Sequence, residues 1–312
     1  VVDHSGKISA FDPSGRLVWT RDPLQLCAAR PWADERFVFA ATAQGRVLKL
    51  EAATGRMLER GDVGERATSP LDVFSEKDGG RRLVVGTLSG RLLCLDAESL
   101  KVVWSSEEAQ DMIQSRPLAA GGSIVFGSWD ARLHAVDLRT GRPRWRWSEN
   151  FNFYYAPAGC TPASDGERVF VGCPDGFVSA VDLASGKTAW RARVNAWESL
   201  GLSQDRRRLF VKSRTDEFHI VEAMTGRSLV RSSPAHGHGD IMPVEPVEWG
   251  GRIYYGAQNG RVYEVDAGGR MKAVLDLGPA GLHALCPLGG GRFAALNLDG
   301  TLVIFRVSRR PR

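Results

Sequence analysis

One phrase returns every 39 to 45 residues along the whole chain, most clearly as AVDLRTGRPRW at 135–145 and AVDLASGKTAW at 180–190. Aligned on its acidic residue, the phrase places Asp12, Glu51, Asp96, Asp137, Asp182, Glu222 and Asp266, with Arg306 at the same position of an eighth copy. A short unit of this kind cannot bury its faces alone, so its copies must stack on one another. Short strands with glycine turns at this period specify a β-propeller.

Each unit reads as four strands. In the fourth, 115–120, 123–128, 132–137 and 142–147 alternate with GG, WDA and LRTG turns. The turn before the third strand carries Gly6, Gly45, Gly90, Gly176, Gly260 and Gly300, with Ala131 and Asp216 as the two exceptions. Glycine supplies the positive φ of such a hairpin. One and four places before the anchor all eight copies are apolar, from Phe11 and Ile8 to Phe305 and Leu302. These are positions that stacked sheets bury. Trp19, Trp104, Trp145 and Trp190 follow the D-x-x-[TS]-G turn and are expected to dock on the next unit.

First strands begin near Cys27, Ala67, Ser115, Tyr155, Trp197, Met242 and His283, and seven of them imply seven blades. The expectation is therefore an all-β propeller of four-stranded antiparallel blades, with the N-terminal strands closing the sheet that the C-terminal ones begin. Eight blades with two incomplete sheets is the alternative. The repeats fall near 1–23, 24–64, 65–108, 113–148, 154–194, 197–234, 241–278 and 282–307, a single domain over 1–312.

The phrase A-x-D-x-x-[TS]-G-x-x-x-W resembles the tryptophan-docking motif of the pyrroloquinoline-quinone (PQQ)-like repeat family, whose architecture is akin to WD40 and YVTN repeats. Residues 135–145 and 180–190 match it fully and 10–19 with one deletion. The resemblance implies a fold and not one function. The family includes quinoprotein dehydrogenases, an outer-membrane assembly lipoprotein, kinase sensor domains and the propeller of aminoadipate-semialdehyde-dehydrogenase-like adenylating enzymes. Its dehydrogenases hold PQQ between a tryptophan and a disulfide of adjacent cysteines. Cys27, Cys94, Cys160, Cys173 and Cys286 include no adjacent pair, so no cofactor is expected.

The odd cysteine count without CxxC spacing also argues against zinc and against a disulfide framework, leaving reduced buried thiols as the default and a Cys160–Cys173 bridge as the exception. SGKT at 185–188 lacks the earlier glycine of a phosphate loop. His236, His238 and Asp240 are donors without a fourth partner, so no metal is expected. The net charge of +5 is spread thinly, which makes nucleic acid an unfavoured partner, and no apolar run is long enough for a membrane span. The compartment stays open: the cytoplasm is favoured, with the periplasm or exterior following if an N-terminal segment has been removed.

Aromatic residues gather in the connections between units, at 147–157, 193–201 and 233–243. Placed around a channel mouth, these connections would present Phe151, Phe153, Tyr154, Tyr155, Trp197, Glu198, His238 and Asp240 toward Arg116, Trp129 and His283. Connections on a rigid scaffold are where binding residues collect. Plugs between blades are the alternative role for these rings. The expectation is a non-catalytic scaffold that binds a protein, peptide or small ligand on its loop face. The competing readings are a propeller domain of a larger adenylating or kinase polypeptide, and an enzyme, PQQ-dependent or lyase-like, using Tyr154, Glu198, His238 and His283.

Overall fold

The computed structural model describes residues 1–3, 5–23, 26–27, 29–76, 79–150, 152–235, 237 and 239–308. The expected strand inventory is present. Among the described residues, first strands are Trp32–Ala33, Asp72–Ser75, Leu118–Ala120, Ala163–Ser164, Ala196–Leu202, Val247–Trp249 and Leu282–Gly289, which gives seven blades, and third strands number eight, from Ile8–Phe11 to Leu302–Arg306. Six sheets have four antiparallel strands in sequence order, the C-terminal sheet has three, and Ile8–Phe11 pairs with Leu17–Arg21 in a two-stranded sheet. The architecture is that of a β-propeller with almost no helix.

Two compact units divide the chain: Val1–Asp12 with Arg16–Cys160, and Pro13–Gly15 with Thr161–Arg312. In each, the apolar pairs of the third strands form the core. Val47, Leu50, Leu92, Leu95, Leu133 and Val136 are sealed in the first unit, and Val178, Val181, Phe218, Val221, Val262 and Val265 in the second. Each such side chain contributes about 1.5–3 kcal/mol by leaving water. The terminal copies differ, because Phe11 is 38% exposed and Phe305 and Leu302 are half-buried, each in a sheet short of four strands.

The turn before the third strand behaves as the glycines predict, and both exceptions keep the conformation: Ala131 has φ +64° and Asp216 φ +59°. First strands are less regular. Cys27 and Ala67 each contribute an isolated bridge, to Thr42 and Thr87, well before the strand proper. Ser69 and Ser115 instead accept the Gly86 and Gly127 amides on their hydroxyls, at 2.8 and 2.6 Å, in place of ladder carbonyls. Tyr155 opens no strand. Asn152 accepts the Tyr154 amide and caps a 3₁₀ turn at Phe153–Tyr155, and Pro157 starts a second such turn. Pro243 and Pro246 likewise delay the strand expected at Met242 until Val247.

The tryptophans dock as their spacing implies. Trp19 Nε1 donates to the Ala52 carbonyl at 2.8 Å, Trp104 to Leu138 at 3.3 Å and Trp190 to Ala223 at 3.1 Å, in each case in the turn of the following blade. The five cysteines are free, with Cys94, Cys160 and Cys173 buried, so the Cys160–Cys173 bridge is not formed.

Candidate functional site

In the first unit, the connection after Trp147 brings aromatic rings together outside the core. Trp129 sits in the turn between second and third strands and meets Phe153 with ring centroids 4.7 Å apart; Phe153 meets Tyr154 edge-on at 6.0 Å. Phe153 is 52% exposed and Tyr154 81%, while Tyr155 at the end of the same turn is 39% exposed. Phe151 lies outside the described residues.

This platform is fixed from beneath. Ala156 and Ala158 are buried with Ala131, and Trp129 packs against this cluster. A Cβ on Gly127 would stand 1.9 Å from the Pro157 carbonyl, so that approach requires glycine. Trp129 is also tied to the 110–114 segment: its amide donates to the Met112 carbonyl at 3.0 Å and its indole to Gln114 Oε1 at 2.9 Å. Next to it, Asp130 accepts from the Gln110 and Arg132 amides and from buried His134, whose Nε2 lies 2.9 Å away. Burial works against the Asp130 carboxylate, yet the hydrogen bond and charge of His134 with the two amides hold it below the usual range. Arg116 turns instead to Asp72, 3.3 Å away.

In the second unit, Trp197 and Glu198 fall where the Ala196–Leu202 strand slips register against its neighbour, a bulge that takes both out of the ladder. The Arg214 guanidinium lies 5.2 Å from the centre of the Trp197 ring. Burial alone pushes the Glu198 carboxyl upward. His283 occupies a similar slip between Leu282 and Ala284 and is exposed. His236 and His238 lie outside the described residues, and among those described no three His, Cys, Asp or Glu side chains group as metal ligands.

Asp240 is not at the surface. It is 4% exposed and faces Lys212, a residue not singled out from the sequence, at 3.2 Å. The Lys212 ammonium also donates to the carbonyls of Met242 at 2.6 Å and Gly256 at 3.4 Å, and burial drives its pKa down against the pull of Asp240. The pair pins the 240–242 backbone to the second strand Arg208–Ser213. A lysine amid the apolar run LFVKS was the available signal. An open cavity of about 1350 Å³ in this unit is lined by Trp249, Tyr254, Glu264, Asp266, Lys272 and Phe305 among others. Glu264 is engaged by Tyr254 and Lys272, and Asp266 by Arg252 and Arg270. Those carboxylates therefore have structural partners.

The model of the outer membrane protein assembly factor BamB family, a PQQ-type repeat, matches residues 4–146, 77–199 and 174–273. The chain belongs to this PQQ-like propeller family. It is 26% identical over 164 residues to the outer membrane protein assembly factor BamB of Vibrio cholerae, covering 46% of this chain and 38% of that protein. It is 28% identical over 135 residues to the quinohemoprotein alcohol dehydrogenase ADH IIB of Pseudomonas putida, covering 38% of this chain and 20% of that enzyme. The match thus spans well under two thirds of either relative. Among solved structures, BamB from Moraxella catarrhalis superposes with a TM-score of 0.78 at 20% identity, over 100% of this chain and 92% of that one. A computationally designed protein, Ika8, reaches 0.71 at 16% identity.

Proposed function

We propose that this chain is a non-catalytic propeller scaffold that binds a protein or peptide partner, with the Trp129–Phe153–Tyr154 platform as its principal contact in the first unit. The observation that carries this reading is an aromatic cluster, tilted at Trp129–Phe153 and edge-on at Phe153–Tyr154, that is seated on buried alanines through Trp129 and leaves Tyr154 81% exposed. Large rigid rings bury area at low entropic cost, which suits recognition rather than proton transfer. Likeness to assembly factors supports it, as does the engagement of Asp130, Asp240, Glu264 and Asp266 in structural pairs.

Photo-crosslinking tests it. A benzophenone amino acid in place of Tyr154 is expected to capture one dominant protein species in cells, whereas the same group at Val103, on an outer strand, is not. Equal or absent capture at the two positions overturns the proposal.

A further inference from the structure

The charge surrounding the platform narrows the partner's chemistry. The connections 105–116 and 148–160 contain Glu107, Glu108, Asp111 and Glu149 against a single arginine, Arg116, in a chain whose net charge is +5. Arg116 already faces Asp72. Three hydrogen bonds besides the indole contact lay the 110–114 segment along the Trp129 turn: Gln110 N to Asp130 Oδ2 at 3.0 Å, Ser128 Oγ to the Asp111 carbonyl at 2.7 Å, and Trp129 N to the Met112 carbonyl at 3.0 Å. Of the carboxylates, Asp130 is committed to His134, Glu108 to Arg146, and Glu107 lies 3.9 Å from Arg91. Arg132 lies on the Asp130 side of the turn, 4.0 Å from that carboxylate. Asp111 is exposed, and its carboxylate accepts the neighbouring Met112 amide at 2.7 Å.

Aromatic faces are negative, and a cation over them is attracted most where a carboxylate stands alongside. We infer that the platform takes a cationic side chain, lysine or arginine, presented by an extended peptide of the partner. This rests on the scaffold reading above. The aliphatic stem of such a side chain lies along the Trp129 and Tyr154 rings while its charged end meets Asp111. An acidic or uncharged segment would desolvate Asp111 without compensation.

The test uses the whole chain with ¹⁵N-labelled tryptophan, the Trp129 indole signal being assigned by its loss in Trp129→Phe. Four blocked hexapeptides differing only in a central arginine, lysine, glutamine or glutamate are titrated at low salt. The arginine and lysine peptides are expected to move the Trp129 signal and the other two to leave it in place. Tyr154→Ala is expected to weaken binding about 3- to 30-fold, and Asp111→Asn about threefold with loss of most of the salt dependence. Equal shifts from all four peptides, no shift from the cationic two, or indifference to Asp111→Asn overturns the inference. If Tyr154 crosslinks a protein while the cationic peptides leave Trp129 unmoved, the scaffold reading stands and the cationic ligand falls; if both experiments are negative, both fall.

Discussion

At Gly141 two demands coincide. Its φ is +68°, and a Cβ there would stand 2.5 Å from the Trp104 ring of the preceding blade. Gly15 shares the left-handed backbone, φ +86°, with open space around it. Gly141→Ala is therefore expected to cost about 2–4 kcal/mol, against about 1 kcal/mol for Gly15→Ala, read from urea unfolding midpoints; equal losses would mean that ring contact is irrelevant. In the same turn the Arg144 guanidinium, ahead of the Thr140 hydroxyl and the local amides, holds Asp137 at about 2. Because the folded value lies below the ordinary 3.8, that contribution is whole above pH 4 and is lost as pH falls toward 2. Asp137→Asn should flatten the acid limb of the stability curve in that window, and an unchanged limb would refute the assignment. Lys212 and Asp240 teach a different lesson. Asp240→Ala leaves a buried ammonium uncompensated and is expected to cost about 3–5 kcal/mol, while Asp240→Asn, which keeps an acceptor, costs less. Sequence reading placed Asp240 at the surface because its partner lies 28 positions away on another strand, and such a pairing leaves no local periodicity.

Between adjacent blades, the outer strand and the next turn form a complementary pair. Trp19 faces Gly55, Trp104 faces Gly141 and Trp190 faces Gly226, the ring occupying the space a Cβ would need. Where the tryptophan position holds Glu59, in register across the ladder with Lys49, the fit inverts: Leu100, with φ +53° and only 2% exposed, fills the space, and Gly61 opposite admits it, a Cβ there standing 2.9 Å from Leu100 Cβ. Leu100→Gly relieves the backbone but empties a packed site, so a net loss of about 1–4 kcal/mol is expected in thermal unfolding; a gain would show that the left-handed leucine is strain rather than filling. The second, third and fourth strands were legible because their apolar spacing and turn residues are local. First strands were legible in number, and in place only near Trp197 and His283, where Ala196–Leu202 and Leu282–Gly289 begin within one residue of the expected start. Serine hydroxyls replace ladder carbonyls at Ser69 and Ser115, and Asn152 and Pro157 convert the region of Tyr155 to 3₁₀ turns. The platform was half-legible: composition pointed to its rings, whereas the contact of Trp129 with Phe153 depends on Gly127 and Pro157 meeting across 30 positions.

Across the whole chain the five thiols report how tightly the units close. Cys94, Cys160 and Cys173 are buried, burial pushes Cys94 up to about 12, and burial raises the half-exposed Cys27 to about 11. Ellman's reagent at pH 8 is expected to find slow, partial labelling of the native protein, led by Cys286 and Cys27, and five thiols in denaturant; fast labelling of Cys94 would contradict the packing. The tryptophan contacts carry a longer consequence. At three junctions a tryptophan key on one outer strand fits a glycine keyhole in the next turn, so a unit carrying both, inserted whole between two sisters of the Trp–Gly kind, meets a fitting neighbour on both sides. Gene duplication could lengthen such a chain one blade at a time there, but a copy spliced at the Gly61–Leu100 junction would confront leucine with tryptophan and be rejected.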